Sequence, residues 1–155
     1  LERLVPALNR QGLRVSLIKH SHKDIEVDRP GKDSHRLREA GCQEVLLLGR
    51  TRWALMHELR GDAEPPLAYL LSRIQDCDLV LVEGFKSGHF PKLEVWREAV
   101  GKPPLWREAQ YAGQIVAVAS DTALPADAPA PLRLDDLEGV ARCVRAHATA
   151  ISAAG

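Results

Sequence analysis

The 155-residue chain has no excess of charge of either sign: 21 lysines and arginines stand against 21 aspartates and glutamates. That balance removes the electrostatic surplus on which general nucleic-acid binding depends, so no nucleic-acid partner is expected. There is no Cys-x-x-Cys pair. Cys42, Cys77 and Cys143 are odd in number and far apart, which fits three packing thiols in a reducing, cytoplasmic compartment. No apolar run approaches the length of a membrane span, and no charged leader with a hydrophobic centre opens the chain, so a soluble protein with no membrane partner is expected. A phosphate loop is missing too. Pro30-Gly31-Lys32-Asp33-Ser34 ends like one, but the earlier glycine is absent and an aspartate separates lysine from serine. Lys32 is left in a supporting role, meeting an anion at a helix N-terminus. Internal repeats and long low-complexity tracts are also absent.

What is present suits one domain over residues 1–155, large enough for a core without disulfides or a structural metal. Leu1, Leu4, Val5 and Leu8 share one helical face, predicting a helix over residues 1–11 that Gly12 stops, and residues 13–19 read as a strand. Residues 20–31 are polar and without period, a loop ahead of a short helix near 34–40. Residues 45–48 and 52–59 predict a hairpin turning at Gly49. Pro65-Pro66 opens a helix whose Leu67, Leu70, Leu71 and Ile74 form a buried stripe.

Asp78-Leu79-Val80-Leu81-Val82-Glu83-Gly84-Phe85-Lys86 follows, a continuous apolar run that ends in a carboxylate, a glycine and a lysine. Such a run predicts a strand covered on both faces, as in parallel sheets, where ligands bind just beyond the carboxyl ends of the strands. Residues 92–97 form a weaker strand, 101–113 are irregular, and 115–119 form a second apolar strand ending in Ser120-Asp121. Residues 124–132 read as a connector. A final helix then carries Leu137, Val140, Ala141, Val144, Ala148 and Ile151 on its apolar face, capped by Asp135 or Asp136.

The candidate chemistry gathers at these strand ends. Glu83 is the leading catalytic and metal-binding candidate, because a strand-end carboxylate can hold Mg²⁺ directly or through water, or orient an attacking water. The plain alternative is a solvated acid in a turn. Gly84 lets backbone approach a ligand closely, and Lys86 is either a phosphate contact or a surface lysine. His20, His22 and Asp24 offer two imidazoles and a carboxylate within five residues, enough for part of a metal site but more simply a polar loop at the active edge. Asp24 and His20 remain placed to reach Mg²⁺ or phosphate through water. Trp96-Arg97 and Trp106-Arg107 suit ring stacking or an anion grip, or hydrophobic anchoring beside a solvated arginine. Ser120-Asp121 offers acceptors for the ring N1–H and exocyclic amine of guanine, or a cap for the next turn.

Taken in order, Leu17-Ile18-Lys19-His20-x-His22, Asp28-x-Pro30-Gly31-Lys32-Asp33-Ser34, Arg38-x-Ala40-Gly41, Arg52-Trp53-Ala54-Leu55-Met56 and Leu81-Val82-Glu83-Gly84-Phe85-Lys86 give the chain a specific pattern. Over nearly its whole length it resembles the molybdopterin-guanine dinucleotide biosynthesis adapter (MobB) family. The resemblance implies an α/β, P-loop NTPase-like three-layer sandwich with a mostly parallel sheet plus a β-hairpin extension. It implies GTP and Mg²⁺ as ligands, a homodimer, and an adapter with at most slow GTPase activity that assists a molybdenum cofactor guanylyltransferase. It places Glu83 and Asp24 toward Mg²⁺, and Lys19, His20, Asp24, Lys32, Gly84, Lys86, Ser120 and Asp121 toward the nucleotide. The family also has a Walker A loop ahead of its first helix. Leu1 falls only a few residues past the expected Gly-Lys-Thr, so the first strand and phosphate loop are expected upstream of residue 1, and the chain as written is expected to bind nucleotide poorly. Two rivals share the fold: an ATP-dependent kinase or ligase similar to dethiobiotin synthetase, and a non-catalytic dimerisation module pairing through residues 52–59.

Overall fold

The structure, a computed structural model, describes residues 1–21, 23 and 25–151. The chain forms two compact units, the first made of Leu1–Lys19 together with residues from Ile74 onward, the second of His20–Arg73. The expected α/β class holds, with parallel strand pairs, an antiparallel hairpin and four helices among the described residues.

In the first unit, helix α1 (Leu4–Arg10) ends at Gly12, whose φ of 84° is left-handed backbone that a side chain would strain. The helix is shorter than the periodicity predicts, and Leu1 is exposed. Strand β1 (Val15–Lys19) pairs in parallel with β4 (Leu79–Glu83), from Val15 opposite Leu79 to Lys19 opposite Glu83. Arg14 fastens the entry to this pair: its backbone N–H donates to Asp78 Oδ2 at 2.7 Å and its guanidinium meets both carboxylate oxygens at 3.1 and 3.3 Å. Hydrogen bonds from the Arg14 side chain and backbone hold the Asp78 carboxyl below its usual range. With one end tied, the register carries Lys19 and Glu83 together to the other.

Strands β5 (Lys92–Trp96), β6 (Ile115–Ser120) and β7 (Pro131–Arg133) form a second, all-parallel sheet in the order β5-β6-β7. Strand β7 overlaps the end of the stretch read as a connector and runs one residue beyond it. Its three residues are too few to show a period, and it exists because Val118, Ala119 and Ser120 offer a free edge. Residues 97–113, mostly read as irregular, contain three short 3₁₀ turns at Glu98–Val100, Leu105–Arg107 and Ala109–Tyr111. Glu94 organises the middle one: its buried carboxylate accepts the backbone N–H groups of Leu105 and Trp106 at 2.8 and 3.1 Å.

Helix α4 (Leu137–His147) is capped by Asp136, whose Oδ1 accepts from Gly139 N–H at 2.8 Å. A Cβ at position 139 would run into that carboxylate, so the glycine makes the cap possible. The helix stops four residues short of Ile151, because His147 Nδ1 turns back to the Cys143 carbonyl at 2.9 Å and Ala148 is extended. Helices α1 and α4 supply Leu4, Leu8, Val140 and Ala141 to a core that also holds Leu81 of β4 and Ala119 of β6. A second cluster joins Val118 and Ile115 of β6 to Tyr111, Trp96 and Trp106, the two indoles meeting edge to face at 5.8 Å. Successive residues Val118 and Ala119 thus belong to opposite faces, and β6 is the strand covered on both sides. This corrects the expectation for β4, in which only Leu81 is buried. The reason is placement: β6 lies between two strands and two clusters, whereas among the described residues β4 has β1 as its one hydrogen-bonded neighbour.

The second unit contains α2 (Asp33–Glu39), the antiparallel hairpin of β2 (Glu44–Leu48) and β3 (Trp53–His57), and α3 (Leu67–Arg73). Leu67, Leu70 and Leu71 of α3 are half-buried, not buried as predicted, and Ile74 lies past the end of the helix. Arg38 knits the unit, with Nη1 on Glu58 at 2.9 Å and Nη2 on Asp28 at 3.1 Å. The hydrogen bond to Glu58 is the main influence raising the Arg38 pKa.

Candidate functional site

The parallel register of β1 and β4 brings Lys19 and Glu83 to one sheet edge, with Lys19 Nζ 3.5 Å from Glu83 Oε2 and both side chains substantially exposed. Gly84 follows at φ 87°, left-handed backbone that swings the chain off the end of the strand. An exposed ion pair of this kind contributes little to stability, on the order of 0–1 kcal/mol, so the carboxylate stays open to ligand chemistry.

At the end of β6, Ser120 is buried and its hydroxyl oxygen accepts Thr122 N–H at 3.2 Å, with the Thr122 hydroxyl 3.3 Å away. Its carbonyl accepts from Leu134 N–H at 2.8 Å. Ser120 therefore shapes the turn that presents Asp121. Asp121 is exposed and meets Arg97 Nε at 3.5 Å, because Trp96 is registered opposite Ser120 and the next residue on each strand falls alongside the other. Sequence reasoning flagged both halves of this pair without joining them. The available signal was that each follows the last residue of a strand.

Lys86 takes its place in the loop after β4, lining a surface cavity with Ser87 and His89. Of the second-unit candidates, His20 Nε2 lies 3.2 Å from Glu64 Oε2, and Lys32 is the exposed residue before α2, making no side-chain cap. Asp24 and His22 lie outside the described residues. Arg107, proposed as a grip or a solvated neighbour of Trp106, forms a two-point pair with Asp127 at 2.8 and 2.9 Å.

Among the described residues no group of three or more His, Cys, Asp or Glu side chains could hold a metal ion. A Mg²⁺ ion takes one or two carboxylates and completes its shell with water and phosphate oxygens, so a single exposed carboxylate such as that of Glu83 is compatible with such an ion. A cation resting against Glu83, here the Lys19 ammonium, marks the same electrostatic preference.

The family model described as "Molybdopterin guanine dinucleotide synthesis protein B" (MobB) matches residues 1–121. The chain is 43% identical over 143 residues to the molybdopterin-guanine dinucleotide biosynthesis adapter protein of Escherichia coli (strain K12), a match covering 91% of this chain and 80% of that one. It is 45% identical over 105 residues to the protein of the same description from Haemophilus influenzae, covering 66% of this chain and only 58% of that relative. The crystal structure of a molybdopterin-guanine biosynthesis protein B matches with a TM-score of 0.71 and 25% identity, over 94% of this chain and 88% of that one.

Proposed function

Because this chain belongs to the molybdopterin guanine dinucleotide synthesis protein B family, we propose that it acts as a GTP-binding adapter in molybdopterin guanine dinucleotide biosynthesis. GTP and Mg²⁺ are its ligands, a molybdenum cofactor guanylyltransferase is its partner, and any GTP hydrolysis is slow. The observation that carries this reading is the β1–β4 register, which sets Lys19 and Glu83 side by side at the carboxyl edge of a parallel pair, where α/β folds bind their ligands. Glu83 contacts the ion or its water, Lys19 offsets phosphate charge, and Gly84 allows close backbone approach. Mg²⁺, when bound, neutralises charge on the phosphate oxygens. Asp121, steadied by Arg97, accepts from the guanine N1–H and amine. Three free cysteines fit a cytoplasmic home.

Calorimetry on the full-length gene product tests this. With Mg²⁺ present, GTP is expected to bind at least about tenfold tighter than ATP, since a buried hydrogen-bonding mismatch at one base costs that much or more. Preference for ATP would support the kinase or ligase reading instead, and no binding of either nucleotide would support the dimerisation module.

The homodimer is part of the same proposal. Leu46, Leu48, Trp53 and Leu55 share one face of the hairpin through the pairs Leu46–Leu55 and Leu48–Trp53, and all four are about half exposed or more, Leu48 at 80%. A cluster of this kind on a soluble surface marks an association site, and the same patch on a second copy is its simplest match. Replacing Leu48 and Trp53 together by aspartate is expected to raise the dimer dissociation constant at least about 100-fold, from the lost apolar burial and two buried charges. Sedimentation velocity over a concentration series reads this directly; an unchanged dimer would move the interface elsewhere.

A further inference from the structure

Beyond Glu83 the chain builds a cavity of which the nucleotide reading uses Lys86 alone. The 86–89 loop faces Gln110, Tyr111 and Gln114 across a cavity of about 380 Å³. The cavity carries two basic side chains, Lys86 and His89, and no aspartate or glutamate, although the whole chain is balanced in charge. Neither basic side chain makes a hydrogen bond or ion pair with the protein among the described residues. The acid nearest in sequence, Glu108, is engaged by Gln110 Nε2 at 2.6 Å. Buried Tyr111 supplies an apolar surface beside these polar groups.

One half-buried ammonium braces the two walls. Lys92 Nζ donates to the Gly88 carbonyl and to Gln114 Oε1, each at 2.6 Å, and lies 3.4 Å from the Phe90 carbonyl and 4.2 Å from the centre of the Phe90 ring. Gly88, at φ 111°, lies so close to that ring that a Cβ would approach Phe90 Cε1 to 2.6 Å. The charge of Lys92 is thereby spent on holding the loop, and Lys86 and His89 are left for a ligand. The loop is set before any ligand arrives, which lowers the ordering cost of binding.

We propose that this cavity is an anion site that takes the phosphate of a small phosphorylated ligand. Lys86 is its charged contact, His89 an imidazole N–H donor, Ser87 its hydroxyl donor, and Lys92 the residue that positions the loop. Phosphate suits it better than carboxylate because several donors converge and a tetrahedral dianion has enough oxygens to accept from all of them. The volume exceeds that of a bare phosphate ion and falls in the range of small-molecule sites, so the phosphate belongs to a larger compound. The proposal reassigns Lys86, which the family resemblance places toward the nucleotide, to this cavity, and leaves the nucleotide the groups at Glu83 and Asp121.

Pyrophosphate is the probe. Titrated into the ¹⁵N-labelled chain, it is expected to shift the backbone amides of Ser87, Gly88, His89, Gln110, Tyr111 and Gln114 along a saturable curve. Replacing Lys86 and His89 together by alanine is expected to weaken that binding at least about tenfold, because an ammonium and an imidazole donor to the phosphate anion are both lost. Lys92→Met, which leaves both contacts in place, is expected to weaken it several-fold by loosening the loop. Both altered surface residues are exposed, so unchanged signals from Leu8 and Ala141 will show the core intact. Shifts confined to residues around Glu83 and Asp121, shifts that never saturate, or an unaltered affinity in the double variant would each overturn the proposal.

Discussion

Glu83→Gln is expected to cut Mg²⁺-dependent GTP hydrolysis at least about 100-fold while changing GTP affinity less than about tenfold. Glutamine keeps the size of the side chain and a carbonyl acceptor but removes the charge, which is what orienting a water or assisting a metal ion requires. Most of the grip on a triphosphate comes from backbone amides and lysine in a phosphate loop, so affinity does not depend mainly on this residue. Single-turnover hydrolysis with a parallel binding isotherm separates the two quantities. Lys19→Gln is the control, since Glu83→Gln also releases the Lys19 ammonium that lies 3.5 Å away. A Glu83→Gln protein that hydrolyses GTP at the parent rate would reduce Glu83 to an exposed acid in a turn.

Leu8→Ala is expected to lower the stability of the first unit by about 3–5 kcal/mol, the range for a fully buried leucine whose surroundings collapse incompletely. Leu8 is wholly inaccessible to solvent and belongs to the cluster shared by α1, α4, β4 and β6. Removing it opens a cavity in a cluster to which both helices and both sheets of the first unit contribute. Against a typical domain stability of about 5–15 kcal/mol, that loss is large enough to populate the unfolded state near body temperature. Urea denaturation followed by tryptophan fluorescence measures it, because Trp96 and Trp106 sit in the neighbouring cluster of the same unit. The comparison is Leu37→Ala on exposed α2, expected to fall within about 0.5 kcal/mol of the parent. A Leu8→Ala loss as small as that would mean that α1 is not part of the core.

Most of the elements are legible in the residues because their causes are local. Gly12 ends a helix by its backbone freedom, Asp136 caps another by its carboxylate, and the hairpin follows from two apolar runs around Gly49. The strand at Leu79–Glu83 is legible for the same reason, together with the position of its acid at the tip. The short strand Pro131–Arg133 was not, since three residues between prolines and polar turns carry no pattern of their own. The early end of the last helix also escaped, because His147 competes for a backbone carbonyl in a way that apolar spacing does not register.

The candidate site divides along the same line. Glu83 and Asp121 stand out in the sequence because each follows a β-branched, apolar run. That Glu83 faces Lys19, that Asp121 faces Arg97, and that Lys92 ties Gly88 to Gln114 are pairings between residues far apart in the chain or on separate strands. The sequence by itself determined most of the helices and strands, and which of them end in chemistry, since periodicity, capping and backbone preference act over a few residues. Only the tertiary structure decided that β6, and not β4, is covered on both faces, and which charged groups meet. Burial and ion pairing depend on which segments become neighbours, and that is settled by hydrogen-bond ladders between strands some sixty residues apart, as β1 and β4, and by packing between segments farther apart still, as α1 and α4.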